Sequence, residues 1–359
     1  MYSMKLQVVT VLSIFCGFGL TLSLRSCASD SNNSDPYVHV QFVTSSVGWI
    51  VGPRLLQTTD GGKNWKIIQD GGSGTVASET VVDDLHKFQF INSEVGIAWD
   101  GDVFRRTSDG GRTWQESLSI SADNEQQLAS FFFLNTTQGW IAGKNVYYTA
   151  DGGQNWKRLA PTPTGDYRHQ REMRVAPELA NYRPLLRFAT AKDGVMAKLD
   201  GVVHLTNDGG ITWQYVFDAG KPVRDIFFND GSNGWLVGNA GLVARTRDGG
   251  RTWAYMETPT TNDLLAVHFI NSKSGCAVGA NCTIVCTIDG GTTWTSASVK
   301  LLPEMPPLLA SVSFADELNG WAVGGFGMES SWGPIPARSN IVLTTKDGGE
   351  TWEPADLPH

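Results

Sequence analysis

The chain has little charge, and its balance is wrong for an obligatory nucleic-acid binder. Asp, Glu, Lys and Arg make up 18% of 359 residues and sum to a net charge of −8, where such a binder would show a basic surplus. Familiar catalytic signatures are missing too: there is no Ser-His-Asp motif, zinc motif or phosphate-cradling loop. Cysteine is scarce, with five residues in all. Cys16 lies in an apolar N-terminal run and Cys27 just beyond it. Cys276, Cys282 and Cys286 fall together in one predicted hairpin. An odd trio permits at most one internal bridge. The spacing Cys-x5-Cys-x3-Cys without a nearby His suits a metal poorly, so buried thiols or a single disulfide remain. No segment beyond the N-terminal run is apolar and long enough to span a bilayer.

That run, "LQVVTVLSIFCGFGLTLSL", follows Lys5 and ends in "RSCASDSNNSD". A basic start, an apolar middle and a polar exit describe a secretory signal peptide, with an uncleaved anchor as the alternative. Leu24-Arg25-Ser26-Cys27 resembles a bacterial lipobox, in which Cys27 becomes the lipidated first residue. The expected organisation is a lipoprotein signal over 1–26, a solvated tether over 27–37 and a folded domain over 38–359.

What the chain has in abundance is Gly, 40 residues, and Trp, 13 residues, a composition of short strands and tight turns. "TTDGGKNW" is followed by "TSDGGRTW", "TADGGQNW", "TNDGGITW", "TRDGGRTW", "TIDGGTTW" and "TKDGGETW". Their aspartates are Asp60, Asp109, Asp151, Asp208, Asp248, Asp289 and Asp347, spaced 40 to 58 residues apart, the range of propeller blades. Ahead of each box stands a glycine (Gly48, Gly96, Gly139, Gly194, Gly234, Gly275, Gly320) opening a strand such as "GWIVG". Six residues before each glycine stands a phenylalanine: Phe42, Phe90, Phe133, Phe188, Phe228, Phe269 or Phe314. Two residues further back the position is always apolar. This period of two marks a strand with one packed face. The unit reads as four antiparallel strands, with the Asp-Gly-Gly turn joining the third to the fourth. Such sheets bury their faces only by stacking, which gives an all-β, seven-bladed β-propeller of four-stranded antiparallel blades with Asp-box turns. The paired glycines supply positive φ and the Asp accepts bonds from the turn's own amides. A calcium loop would need more oxygen ligands, so the boxes are expected to be structural and the chain to bind no metal or cofactor. Each blade is complete in sequence order, so the ring is expected to close by packing blade 7 on blade 1 without a strand exchanged between the termini.

The boxes form the Asp-box or BNR repeat, shared with sialidases, some endoglucanases and sortilin-type receptors. Together with "VGWIVGPRLLQTTDGGKNW" and "GWLVGNAGLVARTRDGGRTW", they make residues 38–356 resemble the photosystem II stability and assembly factors of cyanobacteria and plastids. The resemblance implies a non-enzymatic propeller, exported and lipid-anchored on the periplasmic or thylakoid-lumenal side. It implies a scaffold that binds protein subunits of a membrane complex, such as a photosystem, and is a monomer outside that complex. It also implies an arginine patch on strands of the middle and later blades; "VRDIFF" in blade 5 offers Arg224.

Two connections exceed the repeat. "KRLAPTPTGDYRHQREMRVAPELANYRPLL" holds Arg158, Arg168, Arg171, Arg174 and Arg183, with Arg187 on the strand beyond. This is a basic cluster suited to forking onto carboxylates or carbonyls of a partner; a self-compensated solvated loop is the plainer alternative. "GFGMESSWGPIPARSN" in blade 7 carries Trp332, an apolar side chain for a partner or the propeller's own rim to cover. Around the axis, the polar phase of the first strands includes His39, Gln41, Lys87, Gln89, Arg187, Asp225 and His268, expected at the channel. A sialidase-like or other glycoside hydrolase, or a carbohydrate-binding propeller, is the competing reading. It would need three arginines converging with a tyrosine and a carboxylate, and no pattern ties Tyr147, Tyr148, Tyr167 or Tyr182 to such an acid.

Overall fold

The structure, a computed structural model, describes residues 39–52, 54–70, 88–99, 104–117, 130–163, 184–300, 306–325 and 340–358. Seven antiparallel sheets follow one another along the chain, each running from first to fourth strand in sequence order. The first strands are His39–Phe42, Phe88–Phe90, Ser130–Phe133, Leu185–Phe188, Val223–Phe228, Leu264–Phe269 and Leu308–Phe314. They pack beside one another and surround a central channel. The chain is therefore a seven-bladed propeller.

The six-residue spacing from Phe to Gly has a direct cause. In every blade these two residues face each other across the first two strands, Phe42 against Gly48 and likewise through Phe314 against Gly320. The ring lies flat on the glycine. A Cβ at Gly139 would sit 2.6 Å from Phe133 Cδ1, and one at Gly275 would sit 2.5 Å from Phe269 Cγ. The same Phe meets the box Trp of its own blade, with centroids 5.8 Å apart for Phe269–Trp294 and 6.3 Å for Phe228–Trp253. On its far side it receives the preceding blade. Trp49 stacks on Phe90 at 3.8 Å, Trp140 on Phe188 at 3.7 Å and Trp235 on Phe269 at 3.4 Å. The repeated Phe is the hinge pin of each seam, and offset or edge-on aromatic pairs add to its burial.

The Asp boxes are self-contained hydrogen-bonded turns. In the first, Thr58 Oγ1 donates to Asp60 Oδ1 at 2.9 Å and accepts from the Gly62 amide at 2.9 Å. Asp60 also accepts from the Asn64 amide at 2.9 Å and from Asn64 Nδ2 at 2.8 Å. Both box glycines have positive φ, 74° at Gly61 and 81° at Gly62, a region where a side chain would be strained. The Gly61 amide donates to Ser46 O in the turn between the first two strands, at 2.9 Å, and the other boxes make the same bond. All seven boxes thus lie at one end of the ring. The second-to-third turns and the connections between blades lie at the other.

The ring closes by packing. Trp321 of blade 7 stacks on Phe42 of blade 1, with centroids 4.6 Å apart. The amides of Val40 and Phe42 donate to Ser311 Oγ and Ser313 Oγ at 3.2 and 3.0 Å. Among the described residues no strand is exchanged between the termini. Blade 7 does gain a fifth strand: Ser298–Val299 leaves blade 6 and pairs in parallel with Thr351–Pro354. Its amides and those beside it bond outward, Ser298 N to Glu350 O and Lys300 N to Trp352 O, each 2.9 Å. Two residues carry no strand period, so sequence could not reveal it, but the addition caps an otherwise unpaired edge.

Cysteine pairing is also resolved. Cys276 and Cys286 face each other on neighbouring strands and form a disulfide, while Cys282 is a buried free thiol.

Candidate partner-binding face and central channel

Every first strand presents its free backbone edge to the neighbouring blade, where unmet amides would be costly. Side chains meet them. Gln41 takes the Phe90 backbone in a pair of 2.8 Å bonds, Nε2 donating to Phe90 O and Oε1 accepting from Phe90 N. Gln89 repeats this on Phe133, at 2.6 and 2.8 Å. Ser130 Oγ accepts from Leu186 N at 3.3 Å. Arg187 Nε donates to Ile226 O at 3.0 Å, and Asp225 Oδ2 accepts from Val267 N at 3.1 Å. With Ser311 and Ser313, these clasps join, among the described residues, all neighbouring blades except 6 and 7. There His268 occupies the equivalent place, its ring 6.1 Å from that of Phe314 and its buried Nδ1 without a partner.

The channel cavity measures about 300 Å³ and is lined by first strands of all seven blades. Six of the polar residues expected there, His39, Gln41, Gln89, Arg187, Asp225 and His268, line it; Lys87 lies outside the described residues. Arg187 pairs with Asp225 at 3.1 Å and lies 5.9 Å from the Phe132 ring centroid. Burial pushes Asp225 above the usual carboxylate range, against the pull of the Arg187 guanidinium. Burial lowers His39 to about 4, with Arg187's charge acting in the same sense, and lowers His268 to about 4. Both imidazoles are therefore neutral at pH 7. Among the described lining residues Arg187 is the single arginine and there is no tyrosine. A sialidase constellation is not assembled from these residues. No group of three His, Cys, Asp or Glu side chains among the described residues could hold a metal ion.

The candidate arginines separate. Arg158 stands exposed on the fourth strand of blade 3, Lys157–Pro161. Arg187 is in the channel on blade 4. Arg224 is half-buried at the connection end of blade 5, its Nε donating to Asn239 Oδ1 at 2.7 Å. Arg168, Arg171, Arg174, Arg183, Trp332 and Cys27 lie outside the described residues. The residues that flank the basic connection, Pro163 and Pro184, belong to the end of the ring opposite the Asp boxes.

One group at that end escaped the sequence reading. Lys198, Asp200 and His204 of blade 4 are 1%, 0% and 7% exposed. Lys198 Nζ donates to Pro163 O, fastening the end of blade 3 to blade 4. Asp200 Oδ2, His204 Nδ1 and Thr162 Oγ1 are buried without hydrogen-bond partners. Burial drives Lys198 down and Asp200 up from their ordinary values, and each charge opposes the shift of the other. "AKLD" at a turn reads as solvated, and nothing in its pattern signals that both of its ionisable groups are buried.

A ring of seven Asp-box blades around a channel lined by polar residues of the first strands defines an Asp-box propeller. Residues 78–164 and 251–359, more than half of the chain, match the family described as Photosynthesis system II assembly factor YCF48, and the chain belongs to that family. A photosystem II assembly lipoprotein of Synechococcus sp. (strain CC9902) is 29% identical over 177 residues, 48% of this chain and 46% of that protein. The chloroplast photosystem II stability/assembly factor of Arabidopsis thaliana is 27% identical over 112 residues, 30% of this chain and 24% of that one. The matched segments thus span less than half of either relative. Among solved structures, YCF48 from Cyanidioschyzon merolae shares the fold with a TM-score of 0.59 and 18% identity over 88% of this chain and 96% of that one. YCF48 bound to D1 peptide gives 0.57 and 16% over 88% and 94%. A GH74 xyloglucanase from Xanthomonas campestris gives 0.53 and 10% over 89% and 67%, a likeness of fold.

Proposed function

We propose that this protein is a non-enzymatic, exported and lipid-anchored propeller that binds protein subunits and assists assembly of photosystem II or a related membrane complex. The observation that carries the reading is the family match over both halves of the ring. One similar structure is of YCF48 bound to D1 peptide, which supports a peptide segment of a protein subunit as the partner class. Arg158, Arg168, Arg171, Arg174, Arg183, Arg187 and Arg224, with Trp332, are the residues proposed to serve it. Arg158 and Arg224 offer guanidinium groups outside the channel, while Arg187 acts from within the clasp to Asp225. The Cys276–Cys286 disulfide supports an oxidising, extracytoplasmic compartment. One curated relative is named a lipoprotein, which supports Cys27 as the anchor.

The test is a titration of the purified full chain with a D1-derived peptide, followed by anisotropy at two ionic strengths. Binding that weakens with salt, and weakens further when Arg168, Arg171 and Arg174 are changed together to Glu, supports the reading. No binding at all, together with release of sugar from sialosides or xyloglucan, overturns it. Cys27→Ala is expected to move the protein from the membrane to the soluble fraction.

A further inference from the structure

Each seam between blades is filled at one place by a side chain from the second strand of the earlier blade. Trp49, Trp140, Trp235 and Trp321 fill four of them, and Ile97 and Val195 stand at the same register in blades 2 and 4. In blade 6 the register position is Cys276, directly after Gly275. Its partner across the strands, Cys286, stands where Arg245 stands opposite Trp235 in blade 5. The blade 5 pair stacks, the Arg245 guanidinium carbon lying 5.4 Å from the Trp235 ring centroid, and covers the next Asp box at Gly290 and Gly291. In blade 6 the disulfide takes over that role. A Cβ on Gly349 of the blade 7 box would meet Cys276 Sγ at 2.6 Å and Cys286 Sγ at 2.8 Å, and Cys286 Sγ lies 3.4 Å from Gly349 O. Both sulfurs belong to one core cluster with Leu309, Phe314 and Trp352 of blade 7.

Among the described residues, the same seam has no side-chain clasp between first strands, and His268 Nδ1 stands buried there without a partner. This seam is also the one bridged at its outer edge by Ser298–Val299. Other bonds cross it, Cys282 N to Pro307 O at 2.6 Å and Asn271 Nδ2 to Glu317 Oε1 at 3.1 Å, but at the register position where the neighbouring seams are filled by a stacked Trp this one is filled by a bond that can be broken chemically.

We propose that Cys276–Cys286 is a thiol–disulfide exchange site whose cleavage by a dithiol reductant loosens the seam between blades 6 and 7. Cys276 is fully buried and Cys286 is 8% exposed, so the thiolate of the reductant attacks Cys286 Sγ when the seam opens locally. The sulfur–sulfur bond breaks and Cys276 leaves as a thiolate that takes up a proton. The second thiol of the reductant then closes its own disulfide and releases Cys286 as a thiol. Two electrons pass from the dithiol to the protein. The reduced Cys286 can donate weakly to Gly349 O, but the covalent wedge under the blade 7 box is gone.

Hydrogen exchange of the oxidised full chain, with and without dithiothreitol, tests this alongside alkylation mapped by peptide. Cys276 and Cys286 should become alkylated after reduction. Exchange at 275–287, 308–323 and 347–353 should then accelerate about tenfold or more. The Trp-stacked seam around 139–149 and 185–188 should not change. Cys276→Trp with Cys286→Arg transplants the blade 5 pair and should make exchange indifferent to the reductant. If that variant does not fold, Cys286→Ser takes its place and should exchange without reductant as fast as the reduced parent. Failure of the native protein to be reduced, reduction with unchanged exchange, or slow exchange in Cys286→Ser would each overturn the proposal.

Discussion

At the scale of single residues, the Asp boxes store their hydrogen bonds in charge. Asp60 is lowered to about 2, first by the Asn64 side chain and then by the Asn64 amide; Asp151 is lowered to about 2 by Asn155 amide and side chain; Asp289 is lowered to about 2 by Thr293. A carboxyl whose folded value lies below its ordinary value of about 3.8 stabilises the fold above that ordinary value. The contribution disappears as pH falls through the folded value. The propeller should therefore lose stability on acidification from about pH 4 to about pH 2, the span between those two values. Asp289→Asn should flatten that loss, as read by thermal melts across the pH series. These carboxylates are solvent-exposed, so each contributes little alone and the repetition carries the effect. The buried pair behaves otherwise. Lys198→Met removes the charged donor to Pro163 O and the positive charge that opposes the rise of Asp200, and should cost about 1.5–3 kcal/mol in urea unfolding, whereas Lys198→Met with Asp200→Asn should recover part of it.

At the scale of the strand, the Phe–Gly pair sets what the sheet tolerates. Gly139→Ala places a methyl 2.6 Å from Phe133 Cδ1, and Phe133 is already held by Trp156 at 5.9 Å. The ring has nowhere to retreat, so overpacking should cost about 1–3 kcal/mol in chemical denaturation. Phe133→Leu in the same chain should relieve part of that cost by giving the methyl room. The pairing explains why so much of the fold was legible in the sequence: Phe, Gly and the box Trp are three parts of one contact, so their spacing repeats wherever the contact does. The polar phase of the first strands was legible for the same geometric reason, since alternate residues must face the axis. The illegible parts lack a period. Ser298–Val299 is too short to show one. The choice of Cys276 with Cys286, leaving Cys282 free, follows from cross-strand register. The burial of Lys198 and Asp200 follows from how blade 3 ends at Pro163. The candidate arginines were legible as composition only, and the fold distributes Arg158, Arg187 and Arg224 over an outer strand, the channel and the connection end.

At the scale of the molecule, stability is a property of the ring, because each blade covers only its neighbours. The joint between blades 7 and 1 is the one place where residues 271 apart in sequence must meet. It therefore carries the loop-closure entropy of almost the whole chain. Ser311 is placed to hold it. Its Oγ accepts from Val40 N at 3.2 Å and donates to Val40 O at 3.3 Å. Ser311→Ala leaves both backbone groups of Val40 buried and unpaired, at about 1–3 kcal/mol for each unsatisfied group. Gln41→Leu would strip two comparable bonds from Phe90, but that seam joins blades already adjacent in sequence. Ser311→Ala should therefore accelerate hydrogen exchange on both sides of the closing joint, at 39–42 and 310–314, and raise the unfolding rate of the whole ring. Gln41→Leu should accelerate exchange near 88–90 without the same effect on global unfolding. Equal effects of the two variants on the unfolding rate would mean that the joint between the ends is no more decisive than any other, and that the ring opens at whichever seam is locally weakest.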